Sequence, residues 1–311
     1  MDELIERALG RDKRAVSQLV SLFEDQRADA VAKRAYVLSR LHGRKSAVVI
    51  GLTGTPGSGK SSLLARLTLA LLATSELSVA VLAVDPSSHI SGGALLGDRT
   101  RMQLPHDEKR VFFRSQASAT ELGGLGPWSY QVCRLLALLF DGLLVETVGI
   151  GQSEADIRHL ADRVYLVMAP LGGDEIQFLK AGIMEVPQAF VLNKSDDPSA
   201  DRSYHTLRGT LGLARPLDGH DVPIYRTSAK TGLGIDALTR GLLTDFTRAA
   251  AGLATREPYF FERWVRDEWG RFGVRALDAQ GGAESYLRRC MNFERAQADF
   301  SARLHQRATS K

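Results

Sequence analysis

Hydrophobic and polar positions follow two different rhythms along this chain. Between residues 46 and 250, short continuous apolar runs predict strands at 46–52, 78–84, 110–114, 142–147, 163–169, 188–193 and 222–227. Apolar residues at helical spacing predict helices between them, at 60–73, 128–139, 174–183 and 233–249. Runs such as VAVLAV (79–84) and GLLVET (142–147) lack the alternation of a half-buried strand, so they fit a parallel sheet covered by helices on both faces. The flanks are different. Leu4, Ile5, Ala8, Leu9, Val16, Leu19, Val20 and Phe23 recur mostly at helical spacing, and 28–41 repeats the pattern before His42-Gly43, which predicts an N-terminal helical pair. After Pro258 the strand signals stop, and 259–308 is rich in aromatics and arginines at helical spacing, interrupted at Gly281-Gly282. The expectation is an α/β chain: a mostly parallel sheet at 45–250, a helical segment at 1–44 and a helical extension at 251–311. Tyr259, Phe260, Phe261, Trp264, Trp269 and Phe272 give that extension more apolar surface than a short solvated helix can cover, which suggests an arm that dimerises the chain.

At 311 residues, with 44% hydrophobic and 24% charged, the chain is long enough for a sizeable core. Its formal charge of +4 arises from the flanks, where residues 1–45 hold ten Lys/Arg against seven Asp/Glu and 256–311 hold eleven against eight. So thin a surplus along helices reads as solvated faces and argues against a nucleic-acid partner. Cys133 and Cys290 match no metal or redox spacing, which fits a reducing compartment. The start, MDELIERALGRDKR, lacks the apolar core of a secretory signal, and no stretch reaches the ~18 apolar residues of a membrane span, so a cytoplasmic protein without a membrane partner is expected.

The chemistry begins where the first strand ends. Gly54 to Ser61 spells G-x-x-x-x-G-K-S between an apolar run and a helix, the setting in which glycines let backbone N–H groups approach phosphates. Gly57, Ser58, Gly59, Lys60, Ser61 and Ser62 are the phosphate-binding candidates. Lys60 would reach the β- and γ-phosphates, and the Ser61 hydroxyl would ligate Mg²⁺. This loop does not choose between ATP and GTP. Asn193-Lys194-Ser195-Asp196, at the end of a later strand, does: an aspartate there can accept hydrogen bonds from the N1–H and 2-amino group of guanine, whereas adenine would leave the carboxylate unpaired. Ser228-Ala229-Lys230, after the last strand, is similar to the second base-contacting loop of GTPases. Asp85 and Glu146 end two strands at the carboxyl edge of the expected sheet, where each is a candidate to hold Mg²⁺ with Ser61 or simply to cap the next loop. Gln152 follows Gly149 closely and is a candidate to position the attacking water; glutamine is equally a common helix-start residue.

At this point the chain resembles a family. AVDPSS (83–88), GGALLGDRTRM (92–102), ETVGIGQSE (146–154), GGDEIQFLKAGI (172–183) and NKSDD (193–197) are similar to the corresponding words of MeaB/ArgK-type GTPases, over roughly 46–240. The resemblance implies a SIMIBI-class G domain, usually homodimeric, that acts as chaperone to an adenosylcobalamin-dependent acyl-CoA mutase, gating cofactor loading by GTP hydrolysis and protecting or reactivating the mutase by helping to remove damaged cobalamin. It also implies roles by position. Gly57 to Ser62 bind phosphate, and Asp85 lies near Mg²⁺ and a first switch. Glu146 to Gly149 form the second switch, while Asn193, Lys194, Asp196 and Ser228 to Lys230 hold the guanine of GTP or GDP. Gly172 to Gly182 form a further switch in which Lys180 is the basic residue; several relatives carry two adjacent lysines there, whereas here Ala181 follows Lys180. The chain has no D-x-H-x-x-G pattern, so cobalamin belongs to the partner. The competing readings are a metal-insertion GTPase, which would be expected to cluster His or Cys, and an amino-acid-transport ATPase or kinase, which would prefer ATP.

Overall fold

The computed structural model describes residues 1–85, 107–118, 124–147, 153–170, 187–214 and 222–309. They form two compact units, one of residues 47–129 and 140–250 and one of residues 1–46, 130–139 and 251–311.

The first unit is built on seven strands: β1 (Val48–Gly54), β2 (Val79–Asp85), β3 (Val111–Ala117), β4 (Gly142–Thr147), β5 (Arg163–Met168), β6 (Ala189–Leu192) and β7 (Ile224–Arg226). All pair in parallel, in the order β3-β2-β4-β1-β5-β6-β7. Every residue of β1, β2 and β4 is buried, which is why their sequences run apolar without alternation. Helices α1 (Asp2–Leu9), α2 (Lys13–Glu24), α3 (Ala28–Arg40) and α5 (Ser129–Leu139) belong with the second unit. In the sheet unit α4 (Lys60–Thr74) and α8 (Ile235–Phe246) cover one face. Leu63, Leu64, Leu67 and Leu71 there join Ile235, Leu238, Leu242 and Phe246 over Val48, Ile50, Leu52, Val79 and Val81. On the opposite face α6 (Ser153–Leu160) lies so close to β1 that a Cβ at Gly51 would sit 2.5 Å from the Ile157 side chain. A smaller core joins Leu166, Met168 and Phe190 to Leu207 and Leu211 of α7 (Ala200–Ala214). Neither α6 nor α7 was expected from periodicity; the helix expected at 174–183 lies outside the described residues.

The second unit is helical. Its N-terminal part is three helices rather than the expected pair: α1 (Asp2–Leu9), α2 (Lys13–Glu24) and α3 (Ala28–Arg40). The break after α1 has a local cause. Arg11 takes φ of 61°, and the Asp12 carboxylate then caps α2 by accepting from Arg14 N at 2.8 Å and Ala15 N at 3.0 Å. The C-terminal part comprises a 3₁₀ turn (Leu253–Arg256), α9 (Glu257–Asp278), α10 (Gly282–Cys290) and α11 (Phe293–Thr309), with α9 broken at Gly270, φ 57° and ψ −150°. With the central helix α5 (Ser129–Leu139) they build an aromatic core. Tyr130 stacks on Phe260 at 4.2 Å between centroids, and Phe261 meets Tyr286, Phe293 and Phe300. Arg134 lies between Glu294 (2.5 Å) and Glu257 (3.0 Å) and over the Phe293 ring. Of the aromatic residues that suggested a dimerising arm, Phe260 and Phe261 are buried within the chain and Phe272 is 56% exposed. Among the described residues no helix is long and apolar enough to cross a membrane.

Candidate functional site

β1 delivers the chain to a turn that only glycine can begin. Gly54 has φ of 142°, and a Cβ there would fall 1.9 Å from the Val167 carbonyl oxygen of β5. The loop closes through Ser58, whose backbone N–H and hydroxyl both donate to the Thr55 carbonyl. It ends at Gly59, in the left-handed region as the residue before α4. The first N–H groups of a 15-residue helix thus stand at the end of a glycine turn, an arrangement suited to an anion. Lys60 is 6% exposed and folds back so that Nζ donates to the carbonyls of Gly54 (2.8 Å) and Thr55 (2.9 Å). Gly57 is exposed with open space where a Cβ would stand, and Ser62 is exposed one residue beyond Ser61.

The next residue, Ser61, donates its hydroxyl to Glu146 Oε1 at 2.8 Å. Glu146 is 2% exposed at the end of β4, and Asp85 is 4% exposed at the end of β2. Ala83 pairs with Glu146 on one side and with Ser115 of β3 on the other, and Ser115 Oγ donates to Asp85 Oδ2 at 2.6 Å. Two carboxylates and a hydroxyl at the phosphate-loop end of the sheet make a hard oxygen donor set. It fits Mg²⁺, which takes one or two carboxylates with waters and substrate phosphates. No local sequence pattern marks Ser115; only the strand register brings it to Asp85.

The NKSD segment lies beside the same loop. Asn193 is 1% exposed, and its amide joins three segments: Nδ2 donates to Ser58 O (2.8 Å) and Gly59 O (3.4 Å), while Oδ1 accepts from Ala229 N (3.2 Å) and Thr227 Oγ1 (3.4 Å). A Cβ on Gly59 would stand 2.7 Å from that amide nitrogen. Lys194 is exposed, with φ of 57°, and Ser195 is turned inward by its bond to Leu192 O. Asp196 is exposed, and its carboxyl is held below the usual carboxylate range first by a hydrogen bond from the Ser228 side chain and then by its own backbone N–H. Lys230 adds a weaker charge effect in the same direction. Ser228 is buried and also accepts from Thr231 N, and Arg66 of α4 holds the Ala229 carbonyl at 3.1 Å. Gly149, Gln152 and Lys180 lie outside the described residues.

The MeaB family, described as methylmalonyl-CoA mutase-associated GTPase MeaB, matches residues 16–262. The chain is 42% identical over 244 residues to a protein of Pyrococcus horikoshii named as a GTPase, covering 76% of this chain and 75% of the relative. It is 33% identical to GTPase ArgK of Escherichia coli, over 78% of this chain and 75% of that protein. It is 32% identical to the mitochondrial methylmalonic aciduria type A homolog of Caenorhabditis briggsae, over 73% of this chain and 58% of that protein. Among solved structures, a LAO/AO transport system kinase superposes with a TM-score of 0.62 over 98% of this chain and 97% of its own; at 24% identity this likeness concerns the fold alone.

Proposed function

The chain belongs to the MeaB family of GTPases and hydrolyses GTP, and from that premise we propose that it is a cytoplasmic chaperone of the SIMIBI class whose GTP cycle gates adenosylcobalamin loading into an acyl-CoA mutase. The family description, which names association with methylmalonyl-CoA mutase, carries the choice of client. The base loop supports the nucleotide: Asp196, kept ionised by Ser228, accepts from the N1–H and 2-amino group of guanine, while Lys194 and the 228–230 turn flank the ring. Asn193 holds the phosphate loop and the base loop in one register.

At the phosphates, Lys60 exchanges the Gly54 and Thr55 carbonyls for the β- and γ-oxygens, and the N–H groups of residues 57–62 receive the rest of the charge. Ser61, Asp85 and Glu146 would hold Mg²⁺, directly or through water, and the ion when bound neutralises charge between the β- and γ-phosphates. In this reading Gln152 orients the attacking water and Lys180 belongs to a switch that the client orders. No arginine of the phosphate loop is placed to stabilise the transition state, so turnover of the chain alone is slow, on the order of 10⁻⁴–10⁻² per second, and rises when the client supplies or orders a charge. A homodimer through 251–311 completes the reading, with exposed Phe272 as its apolar contact.

The test is GTP turnover with and without each adenosylcobalamin-dependent acyl-CoA mutase of the same organism, alongside cofactor transfer into apo-mutase with GTP or a non-hydrolysable analogue. Stimulated turnover and nucleotide-dependent transfer are expected. A chain that no mutase binds or stimulates is a GTPase with another client, and equal affinity for ATP and GTP would overturn the base assignment as well. Light scattering on the full chain and on Phe272→Asp reads the dimer: a wild-type monomer contradicts it.

A further inference from the structure

The carboxyl edge of the sheet holds a hydrogen-bonded pair, Asp85 and Ser115, of which the motifs include only the acid. Val79 and Val81 of β2 point into the core under α4, so Ala83 and Asp85, in step with them, face the phosphate-loop side. Ala83 is in register with Ser115 of β3 and with Glu146 of β4, which puts Ser115, Asp85 and Glu146 on that one face. Ser115 is partly exposed there. Its neighbours Gln116 and Ser118 turn to the other face and are buried, at 7% and 4% exposure. They also fix the strand end: Ser129 Oγ donates to Gln116 Oε1 at 3.0 Å, and Ser118 N donates to the Asp85 carbonyl at 2.7 Å. The hydroxyl that reaches Asp85 Oδ2 at 2.6 Å is therefore aimed by a strand anchored from behind.

We infer that Ser115 is a positioning residue for GTP hydrolysis: its hydroxyl fixes the orientation of the Asp85 carboxylate, making the end of β3 a third wall of the site beside β2 and β4. This rests on the reading of Asp85 as a metal-site residue. A hydroxyl donated to a carboxylate is a charge-assisted bond, shorter and stronger than one between neutral groups. It also restrains rotation of the carboxylate about its side-chain bonds. A misplacement of about 1 Å at a reacting centre can lower the rate by up to about 10²-fold, so a lost orienting bond should be felt in turnover before it is felt in substrate binding. Were Ser115 merely satisfying a buried acid, its removal would act on stability alone.

The experiment compares Ser115→Ala, Ser115→Thr and Asp85→Ala in the full chain by three readouts: GTP turnover, thermal unfolding, and the Mg²⁺ concentration that half-restores binding of a fluorescent GDP analogue after chelation. The Ser115→Ala variant should lose about tenfold in kcat with KM for GTP within about twofold, and should need several-fold more Mg²⁺. The Ser115→Thr variant, which keeps the hydroxyl, should recover most of both. If Ser115→Ala matches wild type in kcat and Mg²⁺ demand while Asp85→Ala is inactive, the inference falls and the reading of Asp85 stands. If Asp85→Ala itself turns over normally, that reading has failed and the inference with it. Lowered stability with unchanged kcat and Mg²⁺ demand would make Ser115 a structural residue and overturn the proposal.

Discussion

Lys60 in the sheet unit and Arg134 in the helical unit are both nearly buried cations, yet their surroundings oppose each other. The Lys60 ammonium rests on two neutral carbonyls of its own loop, contacts that an arriving phosphate can replace. Arg134, its side chain 11% exposed, is clamped between Glu257 and Glu294. Desolvation by itself lowers an arginine's proton affinity, but Glu294, Tyr130 and Glu257 together hold that of Arg134 above its ordinary value. Burial pushes the Glu257 carboxyl up, an effect that Arg134 only partly offsets. Carbonyl contacts within a phosphate loop can be exchanged for a ligand's oxygens, whereas a cation clamped by two carboxylates is bound into the fold. The first arrangement suits a binding site and the second a tie between helices.

Breaking the tie should have the larger effect. Arg134→Met leaves two largely buried carboxylates without their partner, and removing one side of a buried pair destabilises by about 3–5 kcal/mol. Chemical unfolding in a Trp128→Phe background, followed by fluorescence of Trp264 and Trp269 in the helical unit, should show that loss. A loss below about 1 kcal/mol would mean that the carboxylates find water or protonate, and that the clamp is not what joins α5, α9 and α11.

The counterpart in the phosphate loop should reverse the balance between stability and turnover. In Lys60→Ala the Gly54 and Thr55 carbonyls lose a donor, so unfolding should shift by about 1–2 kcal/mol, less than for Arg134→Met. Turnover should fall by roughly 10²–10³-fold, the usual size for removing one preorganised charge from a transition state. Single-turnover GTP hydrolysis with a parallel thermal melt decides the matter. Normal turnover would take Lys60 out of the mechanism, and a large loss of stability would make it a structural cation like Arg134.

The same contrast explains what could be read from the sequence. Phosphate chemistry demands particular residue types at fixed spacing right after a strand, so the loop from Gly54 to Ser61 and the seven strands were legible. Arg134 meets Glu294 across 160 residues, and no local pattern announces such a pairing. The MeaB match ends at residue 262, inside α9, so the last part of the helical unit was legible only as helical spacing. The helical pair at the N-terminus is three helices because Asp12 supplies a cap signal that hydrophobic periodicity alone passes over. Sequence points to Asn193 at the base, and the structure adds that its amide bonds join the phosphate loop to the 227–229 turn. Ser115 lay hidden because only sheet register brings it to Asp85.

The smallest effect expected concerns the acidity of the guanine-reading carboxylate. Asp196 titrates below its ordinary value, chiefly because Ser228 hydrogen-bonds its ionised form. For an acid depressed in the folded state, the stabilisation is complete above the unfolded-state value, near 3.9, and is lost as pH falls through the lower folded value. Guanine binding, which uses the ionised carboxylate as acceptor, should therefore stay flat from pH 7 to about 5 and weaken only in stronger acid. Ser228→Ala removes the first cause and leaves the backbone N–H and the weaker Lys230 effect, so the titration should move up toward the ordinary carboxylate value. Asp196 is exposed, so solvent screening keeps that shift small. Carboxyl carbon chemical shifts of Asp196, followed by NMR from pH 6 to 3 in both proteins, read the titration directly, and GDP affinity at pH 5 and 4 reads its consequence. Superimposable titrations would mean that Ser228 shapes the loop only through its bond to Thr231 N, and that Asp196 reads guanine without help from the neighbouring turn.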